Sequence, residues 1–408
     1  MAKKKIGNIC ATLYKDGDNG RQSVKITFSS NDAHRVTIYR RKIDDFVFGQ
    51  DYESFFECLP MPTQEELIFN GEIDKQDGFA QYCDTDVSFG CVYAYWVECE
   101  GEFIGPAYAK VRDSRVWWHK ADIDAKMRSL ADKHVGVEMI EVGRTVAHEP
   151  LYALLIGNRE KMLGGVGAVH AGESGPEIML TIAEQLLCES PELFESVGWA
   201  ILPIVNADMR ELIACGNPWY IRKNKNEVDL NRNFDGSWDI VANKYGERTD
   251  DPRASTYRGP YPNSEPETQA VINFMNITKP IITFSYHWLA SMTCDSFLCG
   301  QSYDDTSERH KIFCDLARPY SIAFRQASGA EIWTGRMVHP LCSNGCFSEW
   351  GYHHGFYTVD AEAAYAGGST EKFRISEHDG TDFETLTECI RCHKAGIVAT
   401  LENLAQNQ

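Results

Sequence analysis

A glycine-rich apolar run, Leu163 to Val169, stops at His170-Ala171-Gly172-Glu173, and this junction constrains the chain more than any other stretch. Its end reads as an apolar strand, so the polar groups that follow belong to a strand-ending loop. An imidazole and a carboxylate three residues apart can turn onto one side of such a loop, where a nitrogen and one or two oxygens can grip Zn²⁺. By itself the spacing means little, since a His and a Glu so placed arise by chance about once in a chain of this length. Context decides.

The first part of that context is an alternation of strands and helices. Val137 to Val142, Tyr152 to Ile156, Val166 to Val169, Ala200 to Val205, Ile281 to Tyr286 and Phe356 to Ala361 read as apolar strands. Between them, Ile123, Met127 and Leu130 recur at helical spacing behind Asp122 as a cap. Pro176 to Leu187 reads as a helix opened by the capping-box pair Ser174 and Glu177, and Ser264-Glu265-Pro266-Glu267 repeats the box for a helix through about Asn276. Helices over Thr306 to Ala317 and Phe383 to Leu404 complete an α/β order.

Residues 5 to about 112 read differently. Ser23 to Phe28, Arg35 to Tyr39, Val92 to Cys99 and Tyr108 to Val111 are short alternating or apolar runs between Gly, Asp and Asn clusters, the mark of a β-sandwich. Tyr93 to Glu102 followed by Gly105-Pro106-Ala107-Tyr108 is similar to the late hairpin of a fibronectin type III-like domain. The expected division is a β-sandwich over 1–115 and an α/β domain over 116–408. The sandwich serves either as a docking module or as a packing partner for the second domain.

Charge excludes whole classes of partner. With 59 acidic against 40 basic side chains the formal charge is −19, which repels nucleic acid and anionic membranes. No apolar run is long enough to span a bilayer. The first residues, Met-Ala-Lys-Lys-Lys-Ile-Gly-Asn, carry charge with no apolar stretch behind, which does not read as a signal peptide. The 14 cysteines are then reduced thiols, and the expected location is cytoplasmic. Cys389-Ile390-Arg391-Cys392-His393 fits the haem-attachment pattern but sits in a helical run, where its side chains read as helix-face residues. Cys294, Cys299, Cys342 and Cys346 read as packed thiols.

Three further segments follow His170 and Glu173 in order: Val228-Asp229-Leu230-Asn231-Arg232-Asn233-Phe234, the strand ending at His287, and Gly355 to Ala361 ending at Glu362. From about Trp117 to about Leu404 the chain thereby resembles the M14 (funnelin) zinc carboxypeptidases. The resemblance implies a mixed twisted sheet flanked by helices, and one Zn²⁺ per chain held by His170, Glu173 and His287. Two nitrogens and a carboxylate leave a fourth position for water, which agrees with a catalytic zinc site.

The resemblance also distributes the other roles. Glu362 is the general base, with Asp360, two residues back on the same strand face, as the rival. Asn231 and Arg232 clamp the substrate's terminal carboxylate, a task suited to a guanidinium fork. Arg222 steadies the oxyanion, with Lys225 as the alternative. Ser348 lines the pocket for the terminal side chain. Ser343-Asn344-Gly345 to Glu349-Trp350-Gly351-Tyr352 resembles the turn that follows a mobile tyrosine in pancreatic-type members, but that place falls near His339 and holds no tyrosine.

The expected activity is hydrolysis of the last peptide bond of a peptide. Related activities remain open: cleavage of a muropeptide γ-D-glutamyl amide, trimming of glutamates from protein tails, deacylation of small amino acids, or binding without catalysis. Oligomeric state is not legible.

Overall fold

Apolar side chains alternate along the early strands, and one core is built from that alternation. Strands β1 (Ile6–Lys15), β2 (Gln22–Ser30), β3 (Arg35–Ile43), β4 (Leu67–Glu72), β5 (Lys75–Gln76), β6 (Phe79–Asp84), β7 (Val92–Cys99) and β8 (Glu102–Lys110) form two four-stranded antiparallel sheets, ordered β1-β2-β6-β5 and β4-β3-β7-β8. Val24, Ile26 and Phe28 of β2 meet Val36, Ile38, Tyr93, Tyr95 and Val97 of the other sheet in a shared apolar cluster. The alternate residues of β7, among them Trp96, join a smaller cluster with Tyr39 and Ile43. These strands belong to one compact unit, formed by the described residues of Met1–Trp117 and Leu212–Tyr220. The computed structural model describes residues 6–15, 22–30, 35–43, 59–73, 75–76, 78–218, 221–241, 243–244, 247–287, 297–300, 306–328, 333–337, 344–362 and 383–406.

A second unit holds the described residues of Trp118–Glu211, Ile221–Asp379 and Phe383–Gln408. In chain order the elements are helix α1 (Lys120–Lys133), strands β9 (Val137–Arg144), β10 (Pro150–Gly157) and β11 (Met162–Gly167), helices α2 (Gly175–Glu189) and α3 (Leu193–Ser196), strand β12 (Gly198–Leu202), helix α4 (Ala207–Ala214), a short hairpin β13 (Asn243–Lys244) and β14 (Glu247–Arg248), helix α5 (Pro266–Thr278), strands β15 (Ile282–His287) and β16 (Phe297–Gly300), helix α6 (Glu308–Ser328), strand β17 (Trp333–Met337), helix α7 (Phe347–His353), strand β18 (Thr358–Glu362) and helix α8 (Phe383–Gln406). Eight strands make one mixed sheet, ordered β17-β16-β18-β15-β11-β12-β10-β9. The expected mixed sheet flanked by helices is therefore present.

The centre of that sheet explains why its strands read as uninterrupted apolar runs. β12, β11, β15 and β18 are mutually parallel, and every residue of β11, β12 and β15 is buried, as expected for strands covered on both faces. Glycine permits the closest approaches: a Cβ on Gly164 would stand 2.2 Å from Thr283 Oγ1, and one on Gly165 2.7 Å from Met179 Sδ of α2. Because β11, β15 and β18 run in parallel, their carboxyl ends share one edge. In the β15–β18 register His287 lies beside Glu362.

Three helix starts depart from expectation. Ser174 occupies the N-cap of α2 without a side-chain cap bond, because Glu177 turns inward to accept the Trp118 main-chain N–H at 2.9 Å and to pair with Arg210. At α5 the N-cap is Glu265, and Glu267 accepts instead from the Val146 N–H (2.9 Å) and from Asn224 (3.0 Å). Helix α1 begins at Lys120, with His119 at the N-cap and Asp122 as its partner inside the first turn. Helix α6 continues through Pro319 to Ser328. Buried Tyr320 and Phe324 outweigh the one backbone hydrogen bond lost at the proline.

Candidate active site

After β11 ends, Ala168 takes a left-handed backbone (φ 46°) and the chain turns out of the strand. The loop closes on itself through the Glu173 N–H and the His170 carbonyl (3.3 Å). The turn places His170 Nδ1 2.8 Å from Glu173 Oε1, and β15 delivers His287 Nδ1 to within 3.1 Å of Glu173 Oε2. One ligand atom from each of the three lies within 4.8 Å of the others. All three are buried, with relative exposures of 1%, 0% and 3% for His170, Glu173 and His287. Sequence reasoning named these residues, and the fold brings them together.

The far sides of both rings are tied as well. His170 Nε2 lies 3.2 Å from Asp229 Oδ1, while His287 Nε2 lies 3.0 Å from Ser285 Oγ and 3.6 Å from Asp360 Oδ1. With Nε2 engaged outward on each ring, Nδ1 is the nitrogen presented to an ion. Burial opposes ionisation of Glu173, yet His170 and His287 overcome it and hold its carboxyl well below the usual carboxylate range. Burial likewise opposes ionisation of Asp229, and Arg222 foremost, then His170 and Arg232, keep it low. Two inward Nδ1 atoms, each on a ring with its outer partner in place, and an ionised carboxylate fit Zn²⁺.

The motif around Asp229 folds as a tight turn. Its Oδ1 accepts the Asn231 N–H at 3.1 Å and caps the short helical turn Leu230–Arg232. Asn231 Oδ1 accepts the Phe347 N–H at 2.9 Å, which ties the turn to α7. Asn233 anchors the other side by donating to the Arg258 carbonyl (2.9 Å) and to Ser264 Oγ (2.8 Å). Arg232 is 7% exposed, donates from Nη1 to the Asn231 carbonyl at 2.6 Å, and keeps a buried Nε with no hydrogen-bond partner among the described residues. A buried guanidinium N–H left without a protein acceptor is a place for an anionic ligand.

Of the two candidate cations, Arg222 reaches the site: its Nε donates to Asp229 Oδ2 at 2.7 Å. Lys225 is exposed. Ser348 Oγ donates to Asp360 Oδ2 at 2.7 Å and lies 3.3 Å from Cys346 Sγ, so the expected pocket residue and the rival base are directly joined. Only the main chain of Glu362 is among the described residues, and it runs beside His287. His339, Cys294 and Cys342 lie outside the described residues. Cys346 is a buried thiol, and burial pushes it up to about 11. Cys389 and Cys392 are also buried free thiols within α8, where His393 meets the Tyr320 hydroxyl.

Two residues near the donors escaped sequence reasoning. Asp229 was legible as part of a motif, but its contact with His170 was not. Arg210, fully buried against the loop carbonyls, has no local pattern to mark it.

Comparison with known proteins agrees with this geometry. A family model described as zinc carboxypeptidase matches residues 123–380. Mast cell carboxypeptidase A of Rattus norvegicus is 33% identical over 207 residues, covering 44% of this chain and 46% of that protein. The chain thus spans about half the length of the curated relatives it matches. Among solved structures, bovine thrombin-activatable fibrinolysis inhibitor in complex with tick carboxypeptidase inhibitor superposes with a TM-score of 0.59 at 20% identity, over 72% of this chain and 99% of that one. A metallo-carboxypeptidase from Burkholderia cenocepacia is similar over 97% of this chain and 96% of its own, with a TM-score of 0.50 and 15% identity. At these identities the structures show the fold.

Proposed function

The chain belongs to the zinc carboxypeptidase family, and from that premise we propose that it is a metallocarboxypeptidase that hydrolyses the C-terminal amide bond of peptides. The observation that carries the reading is the convergence of His170, Glu173 and His287 on one buried point. Zinc bound there supplies a Lewis acid and lowers the pKa of water.

The remaining work falls to side chains. Arg232, with its unengaged buried Nε, and Asn231 hold the substrate's terminal carboxylate. Arg222 offers positive charge to the scissile carbonyl oxygen as negative charge develops there. Glu362 takes the proton from the attacking water and returns it to the leaving amine. Asp360 is the second reading for that base, although its 3.6 Å approach to His287 Nε2, on the outward side of that ring, suits an outer partner of the ligand better. Ser348 borders the terminal side chain.

The proposal extends to three finer points. The first unit is a fibronectin type III-like module, a reading supported by its antiparallel strands and shared core. The protein works in the cytoplasm, a reading supported by the buried thiols Cys389 and Cys392. Its substrates are ordinary peptides, with muropeptides as the variant to examine beside them.

The test measures bound zinc and the products from a peptide library that includes muropeptides, for the wild type, Glu362→Gln and Asp360→Asn. One zinc per chain, release of C-terminal residues, and a loss of about 10²–10⁴-fold in kcat confined to Glu362→Gln are expected. A loss confined to Asp360→Asn moves the base. Bound zinc with no peptide or muropeptide cleaved hands the protein to the deacylase or binding readings.

A further inference from the structure

Arg210 lies on α4 and is 0% exposed. Its Nη1 donates to the carbonyls of Ala171 (3.1 Å) and Glu173 (3.0 Å), its Nε donates to the Trp118 carbonyl (3.2 Å), and its Nη2 pairs with Glu177. Glu177 in turn accepts the Trp118 N–H at 2.9 Å. The two carbonyls bracket Gly172, inside the loop that carries two of the three converging donors. An ion pair serving stability alone would need only Glu177, whereas one nitrogen here engages the ligand loop twice. The planar fork fixes those directions together, which a lysine ammonium cannot do.

We propose that Arg210 is a positioning residue of the metal centre: by holding the Ala171 and Glu173 carbonyls it sets the aim of His170 and Glu173. The proposal rests on reading His170, Glu173 and His287 as zinc ligands. It concerns affinity and coordination geometry, not contact with substrate.

The test compares wild type, Arg210→Lys and Glu177→Gln by chelator competition for zinc and by the visible absorption of the cobalt-substituted proteins. Folding of each is checked by circular dichroism. Arg210→Lys is expected to weaken zinc about 10–100-fold and to shift the cobalt bands, while Glu177→Gln lowers the melting temperature and leaves zinc affinity within about twofold. A folded Arg210→Lys protein with wild-type affinity and cobalt spectrum overturns the proposal. Should Arg210→Lys not fold, the double variant Arg210→Gln with Glu177→Gln, which removes both buried charges, meets the same criteria. Failure of both to fold assigns the pair to the fold alone and also overturns it. A wild type that binds no zinc overturns instead the reading of the ligands.

Discussion

Asp229 Oδ1 stands 3.2 Å from His170 Nε2, across the ring from the nitrogen that faces Glu173. The same carboxylate accepts from Arg222 at 2.7 Å and from the Asn231 N–H at 3.1 Å. One acid therefore links a proposed ligand ring, the proposed oxyanion cation and the turn that presents Arg232. Such outer partners set the tautomer and basicity of the ligand they touch.

Asp229→Asn keeps the shape and removes the charge. Zinc affinity, measured by chelator competition, is expected to fall about 10–100-fold. An unchanged affinity would detach Asp229 from the metal.

Arg232→Met removes the guanidinium whose Nε has no acceptor among the described residues. For peptides with a free terminal carboxylate, kcat/KM is expected to drop about 10²–10³-fold, on the order of 3–4 kcal/mol of transition-state binding. C-terminally amidated peptides, poor substrates from the outset, should lose little. Equal losses on both kinds of substrate would remove Arg232 from carboxylate recognition.

Gly164→Ala forces a Cβ to within 2.2 Å of Thr283 Oγ1 on the neighbouring strand. Overpacking of this kind costs about 1–3 kcal/mol, and thermal melting should show it. Adding Thr283→Ala removes the nearest atom and should recover part of the loss. No recovery would mean that the strain lies in the backbone.

Glu267 introduces a pH dependence that does not involve the donors. It is fully buried, and burial pushes its carboxyl from 4.5 up to about 7. A raised carboxyl pKa means that the folded chain binds the proton more tightly. Its stabilising contribution is therefore complete below about pH 4.5 and is lost as pH rises through about 7. Between pH 5 and pH 8 the wild type should lose on the order of 1–3 kcal/mol relative to Glu267→Gln. Parallel denaturation curves across that range would place the titration elsewhere.

His170 and His287 were legible because each follows an apolar strand, and buried parallel strands keep an apolar signature that local sequence displays. Asn231 and Arg232 were legible as a motif. The failures share a cause in Glu177 and Glu267. A carboxylate three residues past a Ser looks the same whether it caps the helix or finds a tertiary partner. The winning partners here are Arg210, 33 positions away, and Val146, 121 away. Spacing could not separate Arg222 from Lys225; the structure shows only that Arg222 pairs with Asp229 and that Lys225 is exposed, which local sequence does not display. The β-sandwich strands announced themselves by alternation, whereas the order β1-β2-β6-β5 depends on pairings between distant residues.

The proposed ligand set also has a history in time. Glu173 and His287 are 114 positions apart, and the strands that carry the two histidines, β11 and β15, meet as neighbours only after α2, β12, α4 and α5 have been made. A growing chain that has emerged only as far as α5 holds two of the three donors and lacks His287. On the reading of these three residues as ligands, the complete three-donor site forms only once β15 has been made.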